Sequence, residues 1–269
     1  MTQDKPPTCA ARDFIVRPFQ PSDTPNIHAL LVECLVSAPD SVRNAALGRS
    51  FISFARYTAC GLGLLLLPRW DLDQFHLPVG GVAICLISMA LFLVERRSIT
   101  ATFLSECKTA QNTDLADIAA FYKVSLGDPS ERNRPQILGP SGFWVAALES
   151  KGETSQVVGC LGLDCHRRAD ELRGELRRMF VSRHYRRHGI GFRLLSEVIS
   201  HARGFTTLPM TMELETSELQ LAAQSLYKKH GFSVVGTRVI PMGRLSPLSM
   251  FRFCRTLQTV DTAPNGWSN

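Results

Sequence analysis

Charge is missing from two long stretches of this chain. Leu77 to Val94 runs for 18 residues without Asp, Glu, Lys or Arg, and Tyr57 to Pro68 for 12 more. Stretches of that kind are buried, either in protein or in lipid. Paired cysteines are also lacking. The eight cysteines (9, 34, 60, 85, 107, 160, 165 and 254) are scattered, with no C-x-x-C pair and no histidine at metal-ligand spacing. No metal is therefore expected, and a reduced, cytosol-facing protein is. No basic patch is interleaved with aromatics, and no nucleic-acid motif is present, so nucleic acid is not an expected partner. Met1 to Arg12 has no apolar core of a secretory leader and reads as a flexible polar tail. There is no internal repeat.

What the chain does contain is a globular share of apolar residues, 45% of 269, enough for one large domain or two small ones. The net charge of +6 and a pI near 9.0 suit an anionic ligand or an acidic membrane surface.

The uncharged stretches lie in residues 51–95, where the apolar run also reaches 18 residues if it begins at Phe51 and Arg56 snorkels. Eighteen apolar residues are at the lower limit for crossing a bilayer. Two readings stand: a pair of buried helices, or a membrane hairpin. For the hairpin, Arg43, Arg49 and Arg56 lie on one flank and Arg96 and Arg97 on the other, which keeps both flanks cytosolic. Gly61, Gly63, Gly80 and Gly81 favour close helix contact.

Elsewhere the pattern alternates between strands and helices. Phe14 to Val16 reads as a strand. A helix carrying Ile27, Leu30, Leu31 and Leu35 follows, capped by Ser22 or Asp23. Asp114 to Lys123 reads as a helix capped by Thr113, and 125–142 as a long loop. Strands are expected over 143–148, 156–165 and 172–181. Ile190, Leu194, Val198 and Ala202, spaced by four, predict a helix over 190–203. A strand with Met210, Met212 and Leu214 follows, then a helix from Leu219 to Lys229 closed by Gly231, then strands over 233–240 and 249–255. The tail 258–269 is polar.

At the junction of the third of these strands and its helix stands Arg186-Arg187-His188-Gly189-Ile190-Gly191. Glycines there let backbone approach a ligand. The unpaired amides of the first helical turn and the helix dipole favour an anion such as a pyrophosphate. The same six residues also suit an ordinary strand-to-helix turn.

With Ala223-x-x-x-Tyr227-x-x-x-Gly231-Phe232 about 40 residues later, this order resembles the GNAT acetyltransferase superfamily. Glu106-Cys107, Asp114-Leu115-Ala116-Asp117-Ile118, Phe143-Trp144-Val145-Ala146 and Glu175-Leu176-Arg177-Arg178-Met179 look like its camello-like (N-acetyltransferase 8) family, which carries a hydrophobic hairpin between its first two helices. The resemblance implies an α/β (α+β) GNAT fold, a central mixed twisted sheet flanked by helices. The domain would be split into 13–50 and 99–257 by the inserted hairpin. It implies acetyl-CoA as co-substrate, with the amides of Met179, Phe180 and Val181 pairing with the pantetheine arm and Arg186, Arg187, His188, Gly189, Ile190 and Gly191 holding the pyrophosphate. Tyr227 would protonate the leaving sulfur, or else serve as a core tyrosine. Glu175 is the candidate general base, or else a strand-edge carboxylate paired with Arg173 or Arg177. Gln220 stands where many superfamily members have Asn, and His188 where relatives often have Lys.

The expected activity is transfer of acetyl to the primary amine of a small molecule, an amino acid or cysteine conjugate, with Arg132, Arg134, Arg238 and Arg244 available to hold a carboxylate. Acetylation of protein or histone lysines and an inactive GNAT-fold interaction module are the competing readings. The expected location is a membrane, that of the endoplasmic reticulum, with the catalytic domain facing the cytosol.

Overall fold

The computed structural model describes residues 14–66, 76–126, 135–148, 156–168, 171–205, 210–243 and 247–257. Seven strands form one sheet: β1 (Phe14–Pro18), β4 (Gly142–Leu148), β5 (Gln156–Arg168), β6 (Glu171–Val181), β7 (Met210–Ser217), β8 (Ser233–Pro241) and β9 (Pro247–Leu257). Their spatial order is β1-β4-β5-β6-β7-β9-β8. Every pairing is antiparallel except β6 with β7. A separate two-residue ladder joins β2 (Val124–Ser125) to β3 (Gln136–Ile137) inside the segment expected to be a plain loop. Residues 127–134 of that segment lie outside the described residues.

The helices cover both faces. On one side α5 (Ile190–Arg203) and α6 (Leu221–Lys229) bury an apolar stripe against the sheet. Ile190, Leu194, Val198 and Ala202 are all buried, as their spacing predicts, and pack with Met210, Met212, Leu214 and Phe253. On the other side α1 (Thr24–Val32) and α4 (Ile118–Phe121) join the lower part of α3 (His76–Asn112). Ile27, Leu31, Ile99, Phe103 and Leu115 form a second core there with Phe143, Val145 and Cys160. Each such side chain contributes about 1.5–3 kcal/mol when fully buried.

The hairpin is helical. α2 (Val42–Leu66) pairs with α3. Phe54 stacks on Phe92 at 4.7 Å, and Thr58 meets Ser88 at 3.2 Å. Gly61 is the close-contact position: a Cβ there would lie 2.9 Å from the Gly81 carbonyl and 2.7 Å from Cys85 Sγ. Contacts that advance along α2 retreat along α3, so the helices are antiparallel. Their outward faces are apolar, with Phe51, Ile52, Val82, Leu86 and Ile87 between 47% and 67% exposed. Among the described residues no helix is long and apolar enough to cross a membrane. The uncharged run of α3 begins at positions 77–79, whose side chains lie outside the described residues.

Three local readings are corrected. The helix expected from Asp114 to Lys123 is only α4, and its cap is Asp117, whose Oδ1 accepts the Ala120 N–H at 2.9 Å. Thr113 instead donates back to the Thr109 carbonyl at the end of α3, and Asp114 turns inward. α3 runs to Asn112 without interruption past the end of the apolar run, because no proline or glycine breaks it after Gly81. Asp23 does not cap α1 directly; it accepts the Gln20 N–H of a preceding 3-10 turn and pairs with Arg17 at 2.8 Å.

Candidate active site

The site is built by a seam that opens. β6 and β7 pair in parallel only from Leu172↔Met210 to Glu175↔Glu213, while the strands run on to Val181 and Ser217. Beyond Glu175, the β6 edge that faced β7 has no strand partner among the described residues. The divergence coincides with a bulge in β6, where the register against β5 shifts between Cys160 and Gly162. Arg178 sits in the bulge at φ 56°, a left-handed conformation costly for a residue with a side chain.

What holds Arg178 there was not legible in the sequence. Its Nε and Nη2 donate to Asp114 at 2.7 and 2.6 Å, and Tyr122 Oη donates to the same carboxylate at 2.9 Å. Asp114 is 1% exposed. Burial alone would raise its pKa. The hydrogen bonds and charge of Arg178, with the Tyr122 and Thr113 hydroxyls, more than offset that and hold it below the usual carboxylate range. Asp114 lies 64 residues from Arg178, so no local pattern reveals the pair.

The open seam leads to the glycine turn. Gly189 caps α5 at φ 79°, and the amides of the first helical turn have no partner within the helix. Gly191 sits in close quarters: a Cβ there would lie 3.3 Å from the tips of both the Leu226 and Met179 side chains. Glu33, in the π-helical turn after α1, steadies the approach to this loop by accepting from the Arg183 N–H at 2.8 Å and the Ser182 hydroxyl at 3.1 Å.

Together these elements enclose a cleft of about 640 Å³. Met179, Phe180, Val181, Arg186, Arg187, Gly189, Ile190, Gly191 and Tyr227 all line it, so most of the residues singled out in the sequence converge. Two do not line it. His188 is exposed, with Nδ1 2.9 Å from the Arg186 carbonyl. Glu175 is about half exposed, at the last rung of the β6–β7 ladder, and pairs with Arg177 at 2.7 Å. Arg186 lines the cleft but is already engaged by Asp40 and the Val181 carbonyl. Of the arginines offered for a carboxylate, Arg238 is exposed and pairs with Glu215 at 2.6 Å, and Arg132, Arg134 and Arg244 lie outside the described residues.

Tyr227 is buried beneath the cleft, its Oη 3.4 Å from Met179 Sδ. Burial pushes its pKa well up, so the phenol keeps its proton throughout the physiological range. Gln220 also lines the cleft; its Oε1 accepts from the Ser217 N–H and from the Thr216 and Ser217 hydroxyls, bracing the corner between β7 and α6. Cys34, Asp40, Val42 and Ala45 form the wall from the α1–α2 side, which sequence reasoning missed. Burial raises the Cys34 pKa, and its thiol donates to the Val181 carbonyl at 3.5 Å.

A cleft of this shape fits an extended amide-bearing arm along the unpaired edge of β6, ending in an anion at the start of α5. Residues 139–234 match the acetyltransferase (GNAT) domain family. The chain is 34% identical over 153 residues to N-acetylaspartate synthetase of Danio rerio, covering 56% of this chain and 46% of that protein. It is 37% identical over 101 residues to probable N-acetyltransferase camello of Xenopus tropicalis, covering 37% and 42%. To human N-acetyltransferase 8 it is 34% identical over 126 residues, covering 46% and 47%. The chain thus spans less than half the length of each of these relatives.

Proposed function

The chain carries an acetyltransferase (GNAT) domain, and from that premise we propose that it is an acetyl-CoA-dependent N-acetyltransferase acting on the primary amine of a small molecule, an amino acid or cysteine conjugate. The observation that carries this reading is the β6–β7 seam, which opens after Glu175↔Glu213 into the cleft that ends at Gly189. Acetyl-CoA, when bound, supplies an activated thioester. The β6 amides near Met179 to Val181 would hold the pantetheine arm and the carbonyl, and the α5 N-terminus would hold the pyrophosphate. Tyr227, kept protonated by burial, holds a proton for a leaving sulfur. Glu175, on the strand entering the cleft, takes the proton of the incoming ammonium. The relatives' names, an N-acetylaspartate synthetase among them, favour an amino-acid acceptor.

The same proposal places the protein at the endoplasmic reticulum membrane through α2 and α3, with the catalytic domain facing the cytosol. The exposed apolar faces of both helices support it.

The activity is tested by incubating the purified protein with acetyl-CoA and a panel of amines and reading free thiol. Thiol release that depends on the amine is expected. Tyr227→Phe should lower kcat with little change in acetyl-CoA affinity, since the hydroxyl acts only in the transition state. No amine-dependent thiol with any acceptor overturns the reading.

A further inference from the structure

The sheet face turned away from α5 and α6 carries a ladder of charges on alternate strand positions. Arg173 pairs with Glu171 at 3.2 Å and Glu213 at 3.3 Å, and Arg238 and Arg252 pair with Glu215 at 2.6 and 3.8 Å. Those three arginine side chains are 44–56% exposed, as solvated surface pairs are. Arg177 is different. Its side chain is 34% exposed, and it stands one residue before the bulge and two before Met179, where the seam has opened. Its guanidinium carbon lies 5.9 Å from the Phe121 ring centroid. Nη2 donates to Glu175 at 2.7 Å. Its Nε is buried and has no hydrogen-bond partner among the described residues.

A buried guanidinium N–H without a partner is a standing cost that a bound acceptor atom removes. The Nε–Nη2 edge of arginine is a planar fork matched to a carboxylate; here Nε is unpartnered but covered and Nη2 is held by Glu175, so a carboxylate reaches the fork only when the Glu175–Arg177 pair parts. Glu175 and Arg177 are thus a carboxylate and a guanidinium side by side, the charge complement of an amino-acid zwitterion.

We propose that Arg177 is the acceptor-specificity residue: its Nε–Nη2 fork binds the carboxylate of an α-amino-acid acceptor, and Glu175, displaced from Nη2, receives the α-ammonium. This rests on the acetyltransferase reading and adds to it a way for the acceptor to free its own base. Before the acceptor arrives, Glu175 is pinned by Arg177. Once the zwitterion exchanges partners with the pair, the charges of all four groups are matched and the amine lies against Glu175 at the mouth of the seam. An amine lacking a carboxylate would leave Glu175 pinned and the Nε–H unpaired.

The test offers the wild-type protein the twenty common L-amino acids and S-benzyl-L-cysteine, each as the free acid and as its carboxamide, with acetyl-CoA. The free acid of the best acceptor should be preferred over its amide by about tenfold or more in kcat/KM. R177Q should abolish that preference by raising KM for the acid. Calorimetry with CoA present should show the N-acetylated product of that acid binding at least about tenfold more weakly to R177Q, with CoA affinity unchanged. R177K, which keeps the charge but not the fork, guards against misfolding of R177Q and should lose most of the preference too. Acid and amide used equally by wild type, or an R177Q or R177K protein that binds CoA normally and still prefers the acid, overturns this inference and leaves the acetyltransferase reading standing. Absence of transfer to every acid and every amide overturns that reading itself.

Discussion

At Gly189 the backbone sits at φ 79°, where an L-residue is strained and a β-branched one is an outlier. Nothing lies within 4 Å of a Cβ built there, so a substitution acts on loop shape and not by collision. Gly189→Val should therefore raise the acetyl-CoA dissociation constant at least tenfold, about 1.4 kcal/mol, while Gly189→Asn, which tolerates the left-handed region, should lose less. Calorimetry on folded variants checks this, and wild-type affinity in the valine variant would refute the role of the turn. The need for glycine at 189 was legible in the sequence. The partners of the loop's side chains were not: Asp40, which occupies Arg186, is 146 residues away. Asp114 gives a sharper case. Its folded pKa lies below the unfolded value near 3.9, so its contribution to stability is present at neutral pH and is lost as pH falls through that value toward the folded one. Asp114→Asn should cost about 3 kcal/mol at pH 7, the usual penalty for breaking a buried ion pair. The gap to wild type should narrow below about pH 4 in urea titrations. A gap independent of pH would show that the carboxylate's charge is not what braces Arg178.

At the scale of elements, regular periodicity translated best. The helix expected over 190–203 and the strand starting at Met210 appear as read, because each has one clean apolar face and nothing competes locally. The Asp114–Lys123 segment failed because a charged residue in a helical pattern was drawn into the core by an arginine from a distant strand. The register bulge at Arg178, which follows the point where β6 parts from β7, left no trace in composition. In the hairpin, four glycines looked alike in sequence but differ in structure. A Cβ at Gly61 would collide with the Gly81 carbonyl, whereas Gly63 and Gly80 have nothing within 4 Å. Gly61→Leu should thus force α2 and α3 apart at a cost of about 1–3 kcal/mol, and Gly63→Leu should be tolerated. Thermal unfolding of both variants in detergent decides the matter; equal melting temperatures would mean that the helices do not pack at Gly61.

For the whole molecule, the issue is where a domain with an apolar arm resides. Both ends of the hairpin are fastened to the same body: Ala46 of α2 and Ile99 of α3 sit in the second core, and Arg49 reaches Glu218 and the Pro247 carbonyl beside the β7–α6 corner. The chain therefore leaves and re-enters the domain on one side, which a single membrane crossing would forbid. Backbone groups in lipid must be satisfied internally, a condition that paired helices meet. Phe51 and Ile52 on α2 and Leu86 and Ile87 on α3 leave more than half of each apolar residue exposed. Insertion of this surface from the cytosolic face predicts that, in intact microsomes, the two chain termini are open to protease and a cysteine introduced between Arg69 and His76 is protected from cytosolic thiol reagents. It also predicts that the protein stays with the membrane through a carbonate wash, and that Leu86→Glu combined with Ile87→Glu shifts it toward the supernatant, since each glutamate adds a charge where lipid contact is expected. Acetyl-CoA affinity of the released variant should remain, because neither position touches the cleft. Recovery of the wild-type protein in the carbonate supernatant, or termini on opposite faces, would instead mean that the apolar faces of α2 and α3 are covered by protein.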